Sequence, residues 1–132
     1  MSTIFSKIIA GDIPSYKVAE DENFFAFLDI NPLQKGHTLV IPKKEIDYIF
    51  DLDDHTLSLM MLFAKKVSKA IEKVIECERI GLTVIGLEVP HAHIHLIPIK
   101  GLNDMNFSKG KATLKPEEFN LIAQRIKEAF QS

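Results

Sequence analysis

Three histidines alternate with apolar residues in the segment 91–99, which reads His-Ala-His-Ile-His-Leu-Ile-Pro-Ile. Successive side chains on a β-strand point to opposite faces of the sheet, so a strand here would carry His91, His93 and His95 on one face. The intervening apolar side chains would lie on the other face and enter the core. Residues two apart on a strand are separated by about 6.5 to 7 Å, which lets three rings converge on a small group such as a phosphate.

The residues alone leave three interpretations of this histidine strand open. The rings could be structural, although each buried imidazole needs hydrogen-bond partners and a purely structural strand does not require three of them. Two of them could bind zinc, which takes three or four ligands and a second layer of hydrogen bonds. They could also perform phosphate chemistry, since an unperturbed pKa near 6.5 lets histidine act as nucleophile, acid or base at neutral pH.

Length and composition limit the classes of protein. A chain of 132 residues predicts one domain over residues 1–132, and 46% hydrophobic with 26% charged residues is typical of a soluble globular protein. A net charge of −2 argues against a general nucleic-acid binder. No apolar run reaches a membrane-spanning length and no signal-peptide pattern is present, so we expect a cytoplasmic protein without membrane partners. Cys77 is the only cysteine and lies between two glutamates, so we expect it to be inert.

Hydrophobic periodicity predicts the order of elements. Helices are expected from Thr3 to Ala10, from Asp53 or Asp54 to about Glu76, and over about 116–130, the last of these at the periphery. Strands are expected at 16–19, 24–30, 37–42, 80–85 and 91–99. This order indicates an α+β domain with a mainly antiparallel sheet of about five strands.

The histidine strand is one of four sequence blocks that together resemble the histidine triad superfamily. Residues 91–97 match its signature, His-φ-His-φ-His-φ-φ with φ apolar, and the other blocks are 4–14, 26–32 and 36–44. The resemblance covers nearly the whole chain and is closest to the small nucleotide-binding hydrolases. It implies a homodimeric α+β unit with a five-stranded antiparallel sheet.

The resemblance also implies a mechanism. His93 would attack the α-phosphate of a nucleoside phosphoramidate or related purine nucleotide conjugate, and water would hydrolyse the resulting nucleotidyl-histidine. His95 would hydrogen-bond the phosphoryl oxygens or the leaving atom. His91 and His37 would form a hydrogen-bonded chain that orients His93.

The same resemblance implies the substrate-binding residues. Asp29 would accept hydrogen bonds from the ribose hydroxyls. The apolar slot for the base would be formed by Phe5, Ile8, Phe27, Ile30 and Leu39. The turn before the triad would add contacts from Gly86 and Val89.

Two departures from the family pattern affect these expectations. Many bacterial relatives hold a structural zinc with two cysteines near the N-terminus and histidines elsewhere, but those places here hold Thr3, Ser6 and Glu45. We therefore expect no structural zinc and no cofactor. Relatives also carry a glycine-rich phosphate loop before the triad, whereas this chain has a shortened turn with Leu87 and Glu88, whose carboxylate would repel a phosphate.

Three functions are compatible with what the resemblance implies. The leading one is a metal-independent nucleotide hydrolase that acts through His93. The altered turn supports an alternative, a purine-nucleotide-binding protein with little catalysis. A nucleotidyl transferase or dinucleoside-polyphosphate hydrolase is the third. The apolar run 60–63 adds to the expectation of a homodimer.

Overall fold

An antiparallel sheet of five strands organises the fold. The computed structural model of the chain describes residues 2–131. The helices are α1 (Ile4–Ala10), α2 (Asp54–Val74) and α3 (Pro116–Gln131). The strands are β1 (Lys17–Glu20), β2 (Phe24–Leu28), β3 (Thr38–Pro42), β4 (Arg79–Thr83) and β5 (Ile94–Ile99), in the spatial order β1-β2-β3-β5-β4. The predicted α+β class with five antiparallel strands is confirmed.

One face of the sheet packs against α2 and α3. Helix α2 begins after Asp53, whose carboxylate accepts a hydrogen bond from the Thr56 N–H, and its apolar stripe faces the sheet. From β5, Ile94 and Leu96 enter the same core. Helix α3 also belongs to it, because it buries Phe119, Ile122, Ala123 and Ile126. The expected peripheral position of this helix was therefore wrong.

The opposite face of the sheet carries a smaller apolar cluster next to the histidines. Phe25 and Phe27 of β2 and Leu39 and Ile41 of β3 form it, and Phe5 of α1 covers it. The strand register sets Phe27 opposite Leu39, and Leu39 opposite His95. This cluster therefore joins the histidine-bearing strand directly.

Strand β5 begins at Ile94, so the prediction of a strand from His91 was wrong at its start. Its pairing with β3 ends at the Val40–Ile94 pair. Continuing the register would set Ala92 opposite Pro42, which has no N–H to donate to a strand partner. Instead the Ala92 N–H bonds to the Ile46 carbonyl at 2.7 Å, and the His91 N–H bonds to the Val89 carbonyl at 2.8 Å.

None of the helices within residues 2–131 combines the length and the apolar character needed to cross a bilayer.

Candidate active site

Four of the five histidines meet on the sheet face that α1 covers. His95 lies in β5, His91 and His93 lie in the loop before it, and His37 immediately precedes β3. All four side chains are buried. Asp29 follows β2, and its N–H bonds to the His37 carbonyl at 3.0 Å. The structure therefore brings the five polar residues singled out from the sequence into one region.

His37 and His95 form a directly bonded pair with a fixed direction. The Leu33 N–H donates to Nδ1 of His37 at 3.0 Å, so the proton of the neutral ring lies on Nε2. That Nε2 lies 3.0 Å from Nδ1 of His95, which must accept. The proton of neutral His95 consequently lies on its own Nε2, leaving that atom as a donor.

The backbone turn before His37 makes this arrangement possible. The His37 N–H bonds to the Gln34 carbonyl at 3.0 Å, which turns the chain back so that Leu33 reaches the ring. Gly36 within this turn has φ +92°, and a Cβ atom there would approach Ile75 Cγ1 to 2.8 Å. Only glycine fits the turn.

Burial keeps the His37–His95 pair neutral. It lowers the pKa of His95 to about 3, with the neighbouring histidines and Lys111 lowering it further. Burial also lowers the pKa of His37, to about 4, and Lys111 acts in the same direction, while the Asp29 carboxylate, 3.6 Å from His37 Nε2, opposes them. Neither ring carries a positive charge at neutral pH.

His93 has its lone pair directed away from the backbone. Its Nδ1 lies 2.8 Å from the His91 carbonyl oxygen, an acceptor, so Nδ1 carries the proton and Nε2 has the free lone pair. An unprotonated Nε2 is what a nucleophilic histidine requires.

The ring of His91 is anchored away from the other histidine rings. Its Nε2 donates to the Pro42 carbonyl at 2.8 Å, and its Nδ1 accepts from the Thr3 hydroxyl at 2.8 Å. Burial lowers its pKa. The expected His91–His37 chain was therefore wrong: His37 bonds to His95, and His91 orients His93 through its backbone carbonyl.

Four aromatic rings stand in a row across the site. Phe5 contacts His93 at a centroid distance of 5.0 Å, His93 contacts His95 at 5.0 Å, and His95 contacts Phe107 at 4.9 Å, each pair edge to face. Phe107 was missed in the sequence. It lies in the loop after β5, where a single aromatic residue between Lys100 and Lys109 was the available signal.

The residues expected to form the base slot separate into two groups. Phe5, Phe27 and Leu39 are buried together, with Ile8 and Val89 packed against them. Ile30 is 66% exposed and lies outside this cluster. Gly86 has φ +73° in the turn before the triad, where a Cβ atom would meet no atom within 4 Å.

Asp29, His37 and His95 place one potential ligand atom each within 4.8 Å of one another, close enough to hold a metal ion. A ligating nitrogen must offer a lone pair. The Leu33 N–H keeps the neutral His37 proton on Nε2, and moving that proton to Nδ1 would set two N–H groups against each other. The two histidines are therefore arranged to bond to each other rather than to bind a metal ion together with Asp29.

Thr3, Ser6 and Glu45, which the resemblance sets at the expected zinc-ligand places, form a hydrogen-bonded cluster with His91. The Glu45 carboxylate accepts from the Thr3 N–H at 2.9 Å and from the Ser6 hydroxyl. The Thr3 hydroxyl accepts from the Ser6 N–H at 3.0 Å and donates to His91. With two neutral hydroxyls, one carboxylate and one imidazole, the donor set does not fit structural zinc, which prefers thiolates and imidazoles.

We predict that Thr3→Val lowers the free energy of unfolding by about 2 kcal/mol. The change removes the cap of α1 and leaves the buried Nδ1 of His91 without its hydroxyl donor. Urea denaturation at pH 7.5 measures the effect. Thr113→Val, at an exposed threonine, serves as the control and should stay within about 0.5 kcal/mol of the unchanged protein. Equal stability of the two variants would contradict the prediction.

Comparisons with known proteins find relatives over nearly the whole chain. The family model described as HIT domain matches residues 10–102. A relative named protein hit, from Bacillus subtilis, is 41% identical over 93% of this chain and 90% of its own length. Adenosine 5′-monophosphoramidase hnt1 of Schizosaccharomyces pombe is 38% identical over 96% of each chain.

A solved structure extends the likeness to the fold. It is a zinc-bound histidine triad family protein from Mycobacterium smegmatis, which superposes with a TM-score of 0.81 at 27% identity and covers 99% of this chain and 94% of its own. The family model spans most of the triad-bearing fold, and the sequence relatives extend over nearly the whole chain. This chain therefore belongs to the HIT domain family.

Proposed function

We propose that this protein is a nucleotide hydrolase that cleaves at the α-phosphate of a nucleoside phosphoramidate or a related purine nucleotide conjugate. The observation that carries the proposal is the tautomer of His93, whose Nδ1–H bonds to the His91 carbonyl and leaves Nε2 free. The activity named for the fission yeast relative supports the same class of substrate.

In the first half-reaction Nε2 of His93 attacks the α-phosphorus and the bond to the leaving amine breaks. The nucleotidyl-histidine is then cationic, and the His91 carbonyl stabilises it by accepting from Nδ1–H. The Nε2–H of neutral His95 donates to a phosphoryl oxygen, where negative charge builds up. In the second half-reaction water attacks the phosphorus and releases the nucleoside monophosphate. Overall the hydroxyl of water goes to phosphorus and its proton reaches the amine through solvent.

The nucleoside would lie on the apolar side of the row of rings. Asp29 would accept from the ribose hydroxyls with the oxygen that faces His37, since its other oxygen accepts the Asn31 N–H at 2.8 Å. Ile8 and Val89 border the buried cluster around Phe5 on which the base would rest.

A substrate panel tests the proposal. An adenosine phosphoramidate, a dinucleoside polyphosphate and a sugar nucleotide are each incubated with the protein, and the nucleoside monophosphate is measured with and without a chelator. We expect release from the phosphoramidate, unaffected by the chelator, and a covalent nucleotidyl adduct in quenched samples. Preference for the dinucleotide or transfer to a second acceptor would instead identify another branch of the family.

The turn before the triad favours a second candidate, a purine-nucleotide-binding protein with little catalysis. Leu87 is 88% exposed and Glu88 is exposed beside it, so neither supplies a buried phosphate contact. Calorimetry that finds tight AMP binding while turnover stays at background would select this candidate.

We further propose a homodimer. Met61 and Leu62 on α2 are at least half exposed, and they line one concave surface with Leu82 of the edge strand β4. An exposed apolar patch beside an unpaired strand edge is typical of an interface. Light scattering should give twice the monomer mass, and Leu62→Glu should reduce it toward the monomer. A monomer mass for the unchanged protein at micromolar concentration would rule the dimer out.

A further inference from the structure

The histidine site has a charge deficit for a phosphate ligand. The pKa of His37, His91 and His95 is lowered by burial in each case, so these rings are neutral at pH 7. The Asp29 carboxylate, 3.6 Å from His37 Nε2, is a negative charge at the site. An anionic α-phosphate therefore needs a cation from elsewhere, because an uncompensated charge is costly in a partly buried site.

The loop after β5 brings one lysine to this place. Phe107 packs edge to face against His95, at a centroid distance of 4.9 Å, and against His37, at 6.2 Å. The Lys111 ammonium lies 5.5 Å from the centre of the Phe107 ring, within the range of a cation–π interaction. The Ala112 N–H bonds to the Pro32 carbonyl at 2.8 Å, which ties the loop to the segment before His37.

Lys111 differs from its neighbour Lys109 in its ion pairing, as far as residues 2–131 show. Lys109 pairs with Asp104 at 3.8 Å. Within residues 2–131, no carboxylate forms a salt bridge with Lys111. Its charge contributes to lowering the pKa of both His37 and His95. Both residues of interest, Phe107 and Lys111, lie beyond the part matched by the family model.

We propose that Lys111, supported by the Phe107 ring beside the His37–His95 pair, is the cation that binds the anionic α-phosphate of the nucleotide. The inference rests on the proposed nucleotide hydrolase function and adds a specificity-determining residue to it. Lys111 takes the place of the phosphate contacts that the shortened turn 86–90 does not provide, and it makes the site select nucleotides over nucleosides.

Binding of AMP and of adenosine, measured by calorimetry, tests this inference. We expect Lys111→Met to weaken AMP binding about tenfold while adenosine binding changes less than about twofold. Lys111→Arg should retain AMP binding within about threefold, because it keeps the charge. Lys109→Met is the matched control and should leave both affinities unchanged. Phe107→Ala should reproduce part of the AMP effect, because the ammonium loses the ring that supports it.

The outcomes separate this inference from the proposed function. If the unchanged protein binds AMP and hydrolyses the phosphoramidate, but Lys111→Met leaves the ratio of AMP to adenosine affinity unaltered, the role of Lys111 is refuted and the hydrolase function stands. An equal loss for AMP and adenosine would likewise refute a phosphate contact. If the unchanged protein neither binds AMP nor hydrolyses any substrate, both proposals fail.

Discussion

His93→Ala is expected to lower the rate of phosphoramidate hydrolysis by at least about four orders of magnitude. Removing a covalent nucleophile leaves only the contribution of binding and of charge stabilisation, and losses of this size are typical of such changes. No neighbouring ring can replace it: the Nε2 atoms of His37 and His91 are both hydrogen-bonded, and that of His95 carries a proton. Release of the nucleoside monophosphate, followed by chromatography, measures the rate.

Two further measurements make this result specific to the nucleophile. The variant should still bind AMP, because the phosphate and nucleoside contacts are retained, and it should form no covalent adduct when the reaction is quenched. His55→Ala is the control, since His55 is exposed near the start of α2, and it should hydrolyse at the unchanged rate. A His93→Ala protein with more than about one per cent of the original rate would show that another group attacks the phosphorus.

Acidification from pH 7.5 to pH 5.5 is expected to lower the free energy of unfolding by about 3 kcal/mol through His37 and His95 alone. Their pKa values are about 4 and about 3 in the folded protein, against 6.5 as the ordinary value that applies when the chain is unfolded. The unfolded chain therefore binds more protons below pH 6.5, at about 1.4 kcal/mol per pH unit for each ring. The stabilisation is complete above this pKa and is lost as the pH falls toward the folded values.

Urea denaturation at half-unit pH intervals measures this dependence. The interval above pH 5.5 avoids most of the titration of the carboxylates, so the histidines dominate the slope. His55→Gln should show the same pH dependence as the unchanged protein, because it removes an exposed histidine. A free energy of unfolding that is constant between pH 7.5 and pH 5.5 would mean that the buried rings are protonated in the folded state.

Most of the fold could be predicted because its elements have strong local signals. The 3.6-residue stripe of α2 specifies a helix and the side it buries, and the apolar runs of β2 and β3 specify strands that are buried on both faces. The start of β5 could not be predicted from its own residues. It depends on Pro42 in another strand, which lacks the N–H that would extend the pairing.

The residues of the candidate site could be predicted from the sequence, but the hydrogen bonds between them could not. The alternation of the triad identified His93 and His95, but the partner of His95 is a ring 58 positions away in sequence. Likewise the directions of the hydrogen bonds come from the backbone groups of Leu33, His91 and Pro42. Backbone groups occur at every position, so no residue type indicates which of them will meet a ring.

The Leu33 N–H at the start of the His37–His95 pair cannot ionise, and this limits what the pair can do. A neutral His95 that lost its Nε2 proton would become an imidazolate, because the chain behind it ends in an amide and has no proton to pass forward. The two rings thus keep one fixed arrangement of protons, and under the proposed function the Nε2–H of His95 can only donate a hydrogen bond to the substrate. The proton that the leaving amine needs must therefore come from bulk water rather than through this pair.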